Sequence, residues 1–393
     1  PVRSEEDRNY DGRVERVVHF QAGKIARIEE DTDGGGKMDT WSYFEREQLV
    51  KKEIDKDHDG KPDITLFYKE GRLQRQEAST KRDGRIDVWY FYSTQGEVER
   101  KEQDTNGDGK PDIWVVYENN QPVRSEEDRN YDGRVERVVL FQAGKIERIE
   151  EDTSGGGKMD TWSYFEGEQL IKKEMDKDRD GKVDVVGYYR GGHLERQEED
   201  LNGDGRRDRV LIFAQGELVR REESTQRDGN LDLIDMLLKG TLLRRFRDAN
   251  ADGMLDTLYV FKDKQVVKRV RDTNGDGYFD LRVIYRNGQN VQQEADTNGD
   301  HRVDVWVVFK EGKRVRQDED RNYNGKIDAR YFFKDGRLVK QEQVAEVEPS
   351  PPGPPFSKVE KDLHGIAAEI PSGERSGEKV VIKAFTEAGR DQK

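Results

Sequence analysis

The sequence predicts an all-β protein, an elongated array (solenoid or ribbon) of fourteen 24-residue repeats, each an acidic loop followed by a β-hairpin. Three observations carry this expectation. Pro1 to Asp63 recurs as Pro122 to Asp184 with eight differences, and a 24-residue period lies beneath that long duplication; self-similarity at such a period marks a repeat architecture. Aromatic and β-branched residues recur at one place in each period, as a strand requires. A Gly and a polar return segment follow them.

The loops open at Asp7, Asp31, Asp55, Ser79, Asp104, Asp128, Asp152, Asp176, Asp200, Ser224, Asp248, Asp272, Asp296 and Asp320, with one extra residue between the fourth and the fifth. Counting each opening residue as position one, all five tryptophans (Trp41, Trp89, Trp114, Trp162, Trp306) fall at position eleven, and position fourteen is Phe or Tyr in all units but that of Leu237. Positions ten to fourteen, as in Val88-Trp89-Tyr90-Phe91-Tyr92, therefore read as a strand. Side chains alternate across a strand, so positions eleven and thirteen face one way and twelve and fourteen the other. Both faces are apolar in many units, which predicts a strand covered on both sides. Gly near position seventeen (Gly23, Gly71, Gly144, Gly216) supplies the positive φ of a three-residue hairpin turn. The return strand, as in Arg72-Leu73-Gln74-Arg75-Gln76-Glu77, carries mixed charges that pair across strands and keep the surface soluble.

Composition fits this thin architecture. Only 32% of the 393 residues are hydrophobic, 39% are charged and mean hydropathy is -1.09, a balance for units that bury a little surface against their neighbours. A net charge of -14 with interleaved signs argues against nucleic acid as a partner. There is no cysteine, and the five histidines share no ligand spacing, which excludes disulfides and Cys-based zinc sites. No stretch approaches the roughly 20 apolar residues that span a membrane. The chain opens at Pro1, partway through a repeat, which leads us to expect a mature or trimmed product.

The loops carry the chemistry. In Asp55-Lys56-Asp57-His58-Asp59-Gly60-Lys61-Pro62-Asp63, oxygen donors stand at positions one, three, five and nine, with Gly at six for the sharp turn. A chain wraps a hard cation with this spacing, and all-oxygen ligation points to calcium, since magnesium seldom receives an all-protein cage. Ten loops keep the pattern. The expected ligands are Asp55, Asp57, Asp59 and Asp63; Asp176, Asp178, Asp180 and Asp184; Asp104, Asn106, Asp108 and Asp112; and Asp200, Asn202, Asp204 and Asp208. Glu replaces Asp at position nine in Asp7, Asn9, Asp11 and Glu15 and in Asp128, Asn130, Asp132 and Glu136. The last four sets are Asp248, Asn250, Asp252 and Asp256; Asp272, Asn274, Asp276 and Asp280; Asp296, Asn298, Asp300 and Asp304; and Asp320, Asn322, Asn324 and Asp328. Such clusters of carboxylates, repeated without a cation, would repel at each loop. Four loops are expected empty or weak: Ser79 and Ser224 remove the charge at position one, Lys81 and Gln226 replace position three, and Gly35 and Gly156 replace position five.

The D-x-[DN]-x-D-G-x-x-D run resembles the calcium loops of thrombospondin type 3 repeats and of FG-GAP or VCBS repeats, over nine residues in 24, and the hairpins are similar to MORN-type repeats. The resemblance implies calcium held by positions one, three, five and nine, with a backbone carbonyl at seven. FG-GAP repeats belong to propellers, so the alternative fold is a seven-bladed β-propeller. A blade would hold two units, and a duplication of five units would place near-identical sequences at unlike blade positions, which favours the open array.

No Ser/His/Asp set or phosphate-type Gly loop stands outside these loops, so the chain is not expected to be an enzyme. The expected role is that of a calcium-stabilised extracellular or cell-surface structural protein, a stalk or filament subunit, with self-association into a head-to-tail homopolymer or cell-surface partners. The alternative is an adhesin or propeller-type module for glycan or protein ligands; solvent-facing Trp favours it, and buried Trp favours the stalk. The array is expected over residues 1–343, a Pro-rich linker over 344–357, and a tail over 358–393 with one candidate strand at 378–385 that could complete the first repeat of another copy.

Overall fold

A computed structural model describes residues 2–349 and 356–358. Among these the regular structure is β-strand alone. The chain divides into two units, Pro1–Met175 and Asp176–Lys393. In the first, fifteen strands from Arg3–Glu6 to Gln169–Met175 form one antiparallel meander in which each consecutive pair of strands is hydrogen-bonded. In the second, fourteen strands from Val185–Arg190 to Arg337–Val347 do the same. Propeller blades are separate sheets of four strands. Here pairing runs unbroken through each unit and no first strand returns to a last, so the array is open.

All the hairpins but that of the fourth unit turn tighter than their sequence predicts. Gln142 pairs with Lys145 across Ala143 (φ 50°) and Gly144 (φ 76°), a two-residue turn with both central residues left-handed, where the spacing of Gly had suggested three. This turn type matches the right-handed twist of the strands it joins. The residue that had been counted into the turn lies instead in the return strand. Leu140 pairs with Arg148 and Phe141 with Ile146, so Glu147 bulges out of register. A bulge of this kind recurs in the other hairpins and adds twist. The extra residue of the fourth unit is absorbed in a longer turn, where Ser93 donates to the Glu97 carbonyl at 2.8 Å.

One face of the first unit is a ladder. Trp41 stands between Glu29 and Glu53 on the flanking return strands, and Trp89 stands between Glu77 and Glu102. Beside this row, aromatics at position thirteen lie under cations of the return strands. The Arg27 and Lys51 charges sit 5.4 and 5.2 Å from the Tyr43 ring, and those of Arg75 and Arg100 sit 4.4 and 4.1 Å from Phe67 and Phe91. The same cations reach the Glu row, as in Arg75–Glu77 at 2.9 Å. Burial and a 2.7 Å hydrogen bond to Glu53 push the Tyr43 hydroxyl up to about 12. Adjacent Val17 and Val18, which point to opposite faces, are both buried, at 3% and 4% exposure.

The second unit has a denser apolar cluster around Met236, Phe246, Leu258, Phe279 and Trp306. It forms where Phe246 and Val270 stand at position twenty-three in place of Glu. Residues 344–347 continue the last strand, and Phe356 is buried in this cluster, both within the span expected to be a linker. The candidate strand at 378–385 lies outside the described residues.

Candidate metal centre

Every acidic loop joins the return strand of one hairpin to the leading strand of the next, so within each unit the loops line one edge of the sheet and the hairpin turns line the other. Strands lie about 4.8 Å apart, which sets neighbouring loops roughly 10 Å apart. The strand ladder continues into this edge. Within each unit the position-one N–H of a loop donates to the position-nine carbonyl of the loop before it, as in Asp31 to Glu15 at 2.9 Å, Asp55 to Asp39 at 2.8 Å and Asp200 to Asp184 at 2.8 Å. Sequence reasoning missed this link, because backbone groups carry no residue signature.

Within a loop, short polar side chains organise the backbone. Asp55 accepts the His58 N–H through Oδ1 and the Gly60 N–H through Oδ2, each at 2.8 Å. Asp57 Oδ1 accepts from Asp59 at 3.2 Å, Asp59 Oδ1 from Lys61 at 2.7 Å, and Asp63 Oδ2 from Lys56 at 2.7 Å. Loops 104–112, 176–184 and 200–208 repeat the scheme. The sharp turn favours Gly at position six, where φ is 91° in Gly60 and 93° in Gly181.

Four expected sites bring three carboxylates to a point, with one oxygen of each within 4.8 Å of the others: Asp7, Asp11 and Glu15; Asp55, Asp57 and Asp63; Asp128, Asp132 and Glu136; Asp176, Asp178 and Asp184. Positions one and nine are common to all, joined by three or five. Two buried carboxylate oxygens have no hydrogen-bond partner, Asp7 Oδ1 in one of these sites and Asp208 Oδ1 in loop 200–208, which is not among the four. An all-oxygen donor set with such unsatisfied oxygens fits a hard divalent cation. Burial alone would raise Asp200 at position one, but the backbone N–H groups of Gly205 and Gly203 outweigh it and hold the carboxyl below its ordinary range. At position nine of two loops burial prevails: Asp280 and Asp304 are raised, with Asp272 and Asp296 adding like charge.

The degenerate loops are closed differently. Ser224 donates its hydroxyl to Asp228 at 3.0 Å, and Ser79 donates to Asp83 at 3.4 Å, so the hydroxyl engages the position-five carboxylate. In loop 31–39, Asp33 turns away to His58 of the next loop at 3.0 Å, and Asp33, Asp39 and His58 form a further cluster. The last expected site is compromised. Arg321, at position two, grips Asp328 at 2.7 Å, and its guanidinium holds that carboxyl below the usual range. Position seven has a use that composition did not reveal: Lys182 donates to the Gly203 carbonyl at 2.6 Å and Arg206 to the Asp228 carbonyl at 3.0 Å, each reaching the loop that follows.

No protein-family model matches the chain, and no curated protein does. Among solved structures, the Glycosylation Associate Protein (Gap123) complex from Streptococcus agalactiae is similar at 23% identity over 24% of this chain and 18% of that one, with a TM-score of 0.20. The accessory secretory protein 1, 2 and 3 structure from Streptococcus pneumoniae is similar at 14% identity over 30% and 18%, with a TM-score of 0.17. A TcdB2-TccC3-Cdc42 structure matches 82% of this chain and 24% of its own at 10% identity, with a TM-score of 0.15. The chain thus spans less than a quarter of each, and likenesses this low carry no argument about function. Among the described residues no helix is long and apolar enough to cross a membrane.

Proposed function

We propose that this chain is a non-enzymatic structural repeat protein of the cell exterior, a stalk or filament subunit whose acidic loops bind calcium and are stiffened by it. The observation that carries the reading is the repeated convergence of carboxylates at positions one, nine and either three or five, with unsatisfied buried oxygens at Asp7 and Asp208. Few apolar side chains per repeat are fully buried, so packing alone gives each hairpin little with which to offset its chain entropy. Calcium at the loop edge would supply the difference. Circular dichroism and solution scattering in EGTA and in calcium test this: loss of calcium should lower the melting temperature and expand the protein, and unchanged values would refute it.

Head-to-tail self-association belongs to the same reading. Arg3–Glu6 pairs along one side with Arg16–His19 and has no strand on its other side among the described residues, which leaves an edge that another chain could extend. A second reading, a module for glycan or protein ligands, is favoured by the tryptophans of the first unit. Trp41, Trp89, Trp114 and Trp162 are half-buried, whereas Trp306 is 8% exposed. Quenching of Trp fluorescence by soluble polysaccharides would separate the two.

A further inference from the structure

Two neighbouring loops of the Asp176–Lys393 unit hold a short peptide between them. Phe356–Lys358, which follows the last strand after residues 348–355, lies across loops 272–280 and 296–304. The Phe356 N–H donates to the His301 carbonyl at 3.1 Å, and the Phe279 N–H donates to the Ser357 carbonyl at 3.2 Å. Tyr278 and Lys358 form an antiparallel bridge. The Phe356 ring is 6% exposed and packs into the cluster of Phe279, Val303 and Trp306. The Arg282 guanidinium lies 4.9 Å over it, and the Lys358 ammonium lies 5.1 Å over the Tyr278 ring.

The repeat itself is altered at this place. His301 stands at position six, where the other thirteen loops carry Gly, and it holds a φ of 68° that is unfavourable for a residue with a Cβ. Tyr278 and Phe279 are the only aromatics at positions seven and eight. His301 and Tyr278 stack with centroids 3.9 Å apart and planes 15° from parallel. Three separate departures from the repeat thus converge on one groove, and each touches the peptide or braces a residue that does.

We propose that this groove is a docking site for short peptides of the form aromatic, polar, basic, and that its resident ligand is the chain's own Phe356-Ser357-Lys358. Recognition proceeds by strand addition, with Phe356 as the buried anchor and Tyr278 selecting a cation two residues later. The site clasps the chain to the loop edge at Lys358. None of these contacts to the peptide is made by an acidic ligand of the loops.

Hydrogen exchange of the full chain tests it, with slow exchange in Pro1–Met175 reporting that each variant is folded. Phe356→Ala should speed exchange at Phe279 and across 356–358 by about tenfold or more. A synthetic peptide of residues 352–360 added to F356A should restore slow exchange at Phe279, and the same peptide with its Phe replaced by Ala should not. Unchanged exchange at Phe279 in F356A, no restoration by the first peptide, or equal restoration by both would overturn the proposal.

Discussion

Asp208→Asn should change sign with calcium. Asp208 closes the loop opened by Asp200 and is 1% exposed. Its Oδ2 accepts the Leu201 N–H at 2.8 Å, its main-chain carbonyl accepts the Ser224 N–H at 2.7 Å, and its Oδ1 is buried without a partner. Asn keeps the shape and the bond to Leu201 but removes the charge. Without a cation, a buried acceptor left unsatisfied costs on the order of 1–3 kcal/mol, more if charged, so neutralising it should stabilise by about 1 kcal/mol. With calcium the balance reverses. A site with Kd on the order of 10⁻⁴ M at about 5 mM calcium adds about 2 kcal/mol, most of which is lost when a charged ligand is removed. Urea unfolding of the full chain should therefore place D208N above the wild type in EGTA and about 1–2 kcal/mol below it in calcium. Equal destabilisation in both conditions would show that Asp208 merely caps the loop, and the ligand argument would fail.

Ser79→Asp with Lys81→Asn restores the charge and oxygen missing from a closed loop, and native mass spectrometry in calcium should count one more bound ion than in the wild type; an unchanged count would mean that position one does not limit binding. Asp235, 2% exposed, is pushed up by burial and pulled down further by Arg245 at 2.7 Å and Arg221, for a net lowering. A carboxyl lowered by folding contributes stability above its unfolded pKa and loses it as pH falls through the folded value. Asp235→Ala should accordingly cost about 1–3 kcal/mol at neutral pH, discounted because both arginines are about one-third exposed, and the difference from wild type in urea unfolding should shrink as pH falls below the ordinary carboxyl range. Gly144→Val, at φ 76°, should destabilise by about 1–2 kcal/mol in the same assay, and an unchanged stability would show that the turn does not need a left-handed residue there.

The strands and their order were legible because the aromatic run at positions ten to fourteen and the Gly after it recur with one spacing, and only an open meander accepts a duplication of five units. The hairpin turn was misjudged for a reason of parity. Residue counting cannot tell a three-residue turn from a two-residue turn followed by a bulge, since both place Gly144 and Ile146 at the same distance from Phe141. Positions one, three, five and nine could be read as oxygen donors from residue type alone. What could not be read was which of them converge: side chains such as Asp33, which turns to His58, choose partners in a neighbouring repeat that lies close in space but 24 residues away in sequence. Arg321 could have been suspected, since an Arg beside a ligand supplies its own positive charge.

The pairing of each strand only with its sequence neighbours has a mechanical consequence. A load applied to the two ends of the Pro1–Met175 unit meets its inter-strand bonds one hairpin at a time, because among the described residues no strand there pairs with a distant segment. Each 24-residue repeat that opens would release about 80 Å of contour length at full extension. Under tension such a sheet would lengthen in regular steps, with the load at each step set by the bonds that tie position one of a loop to position nine of the loop before it.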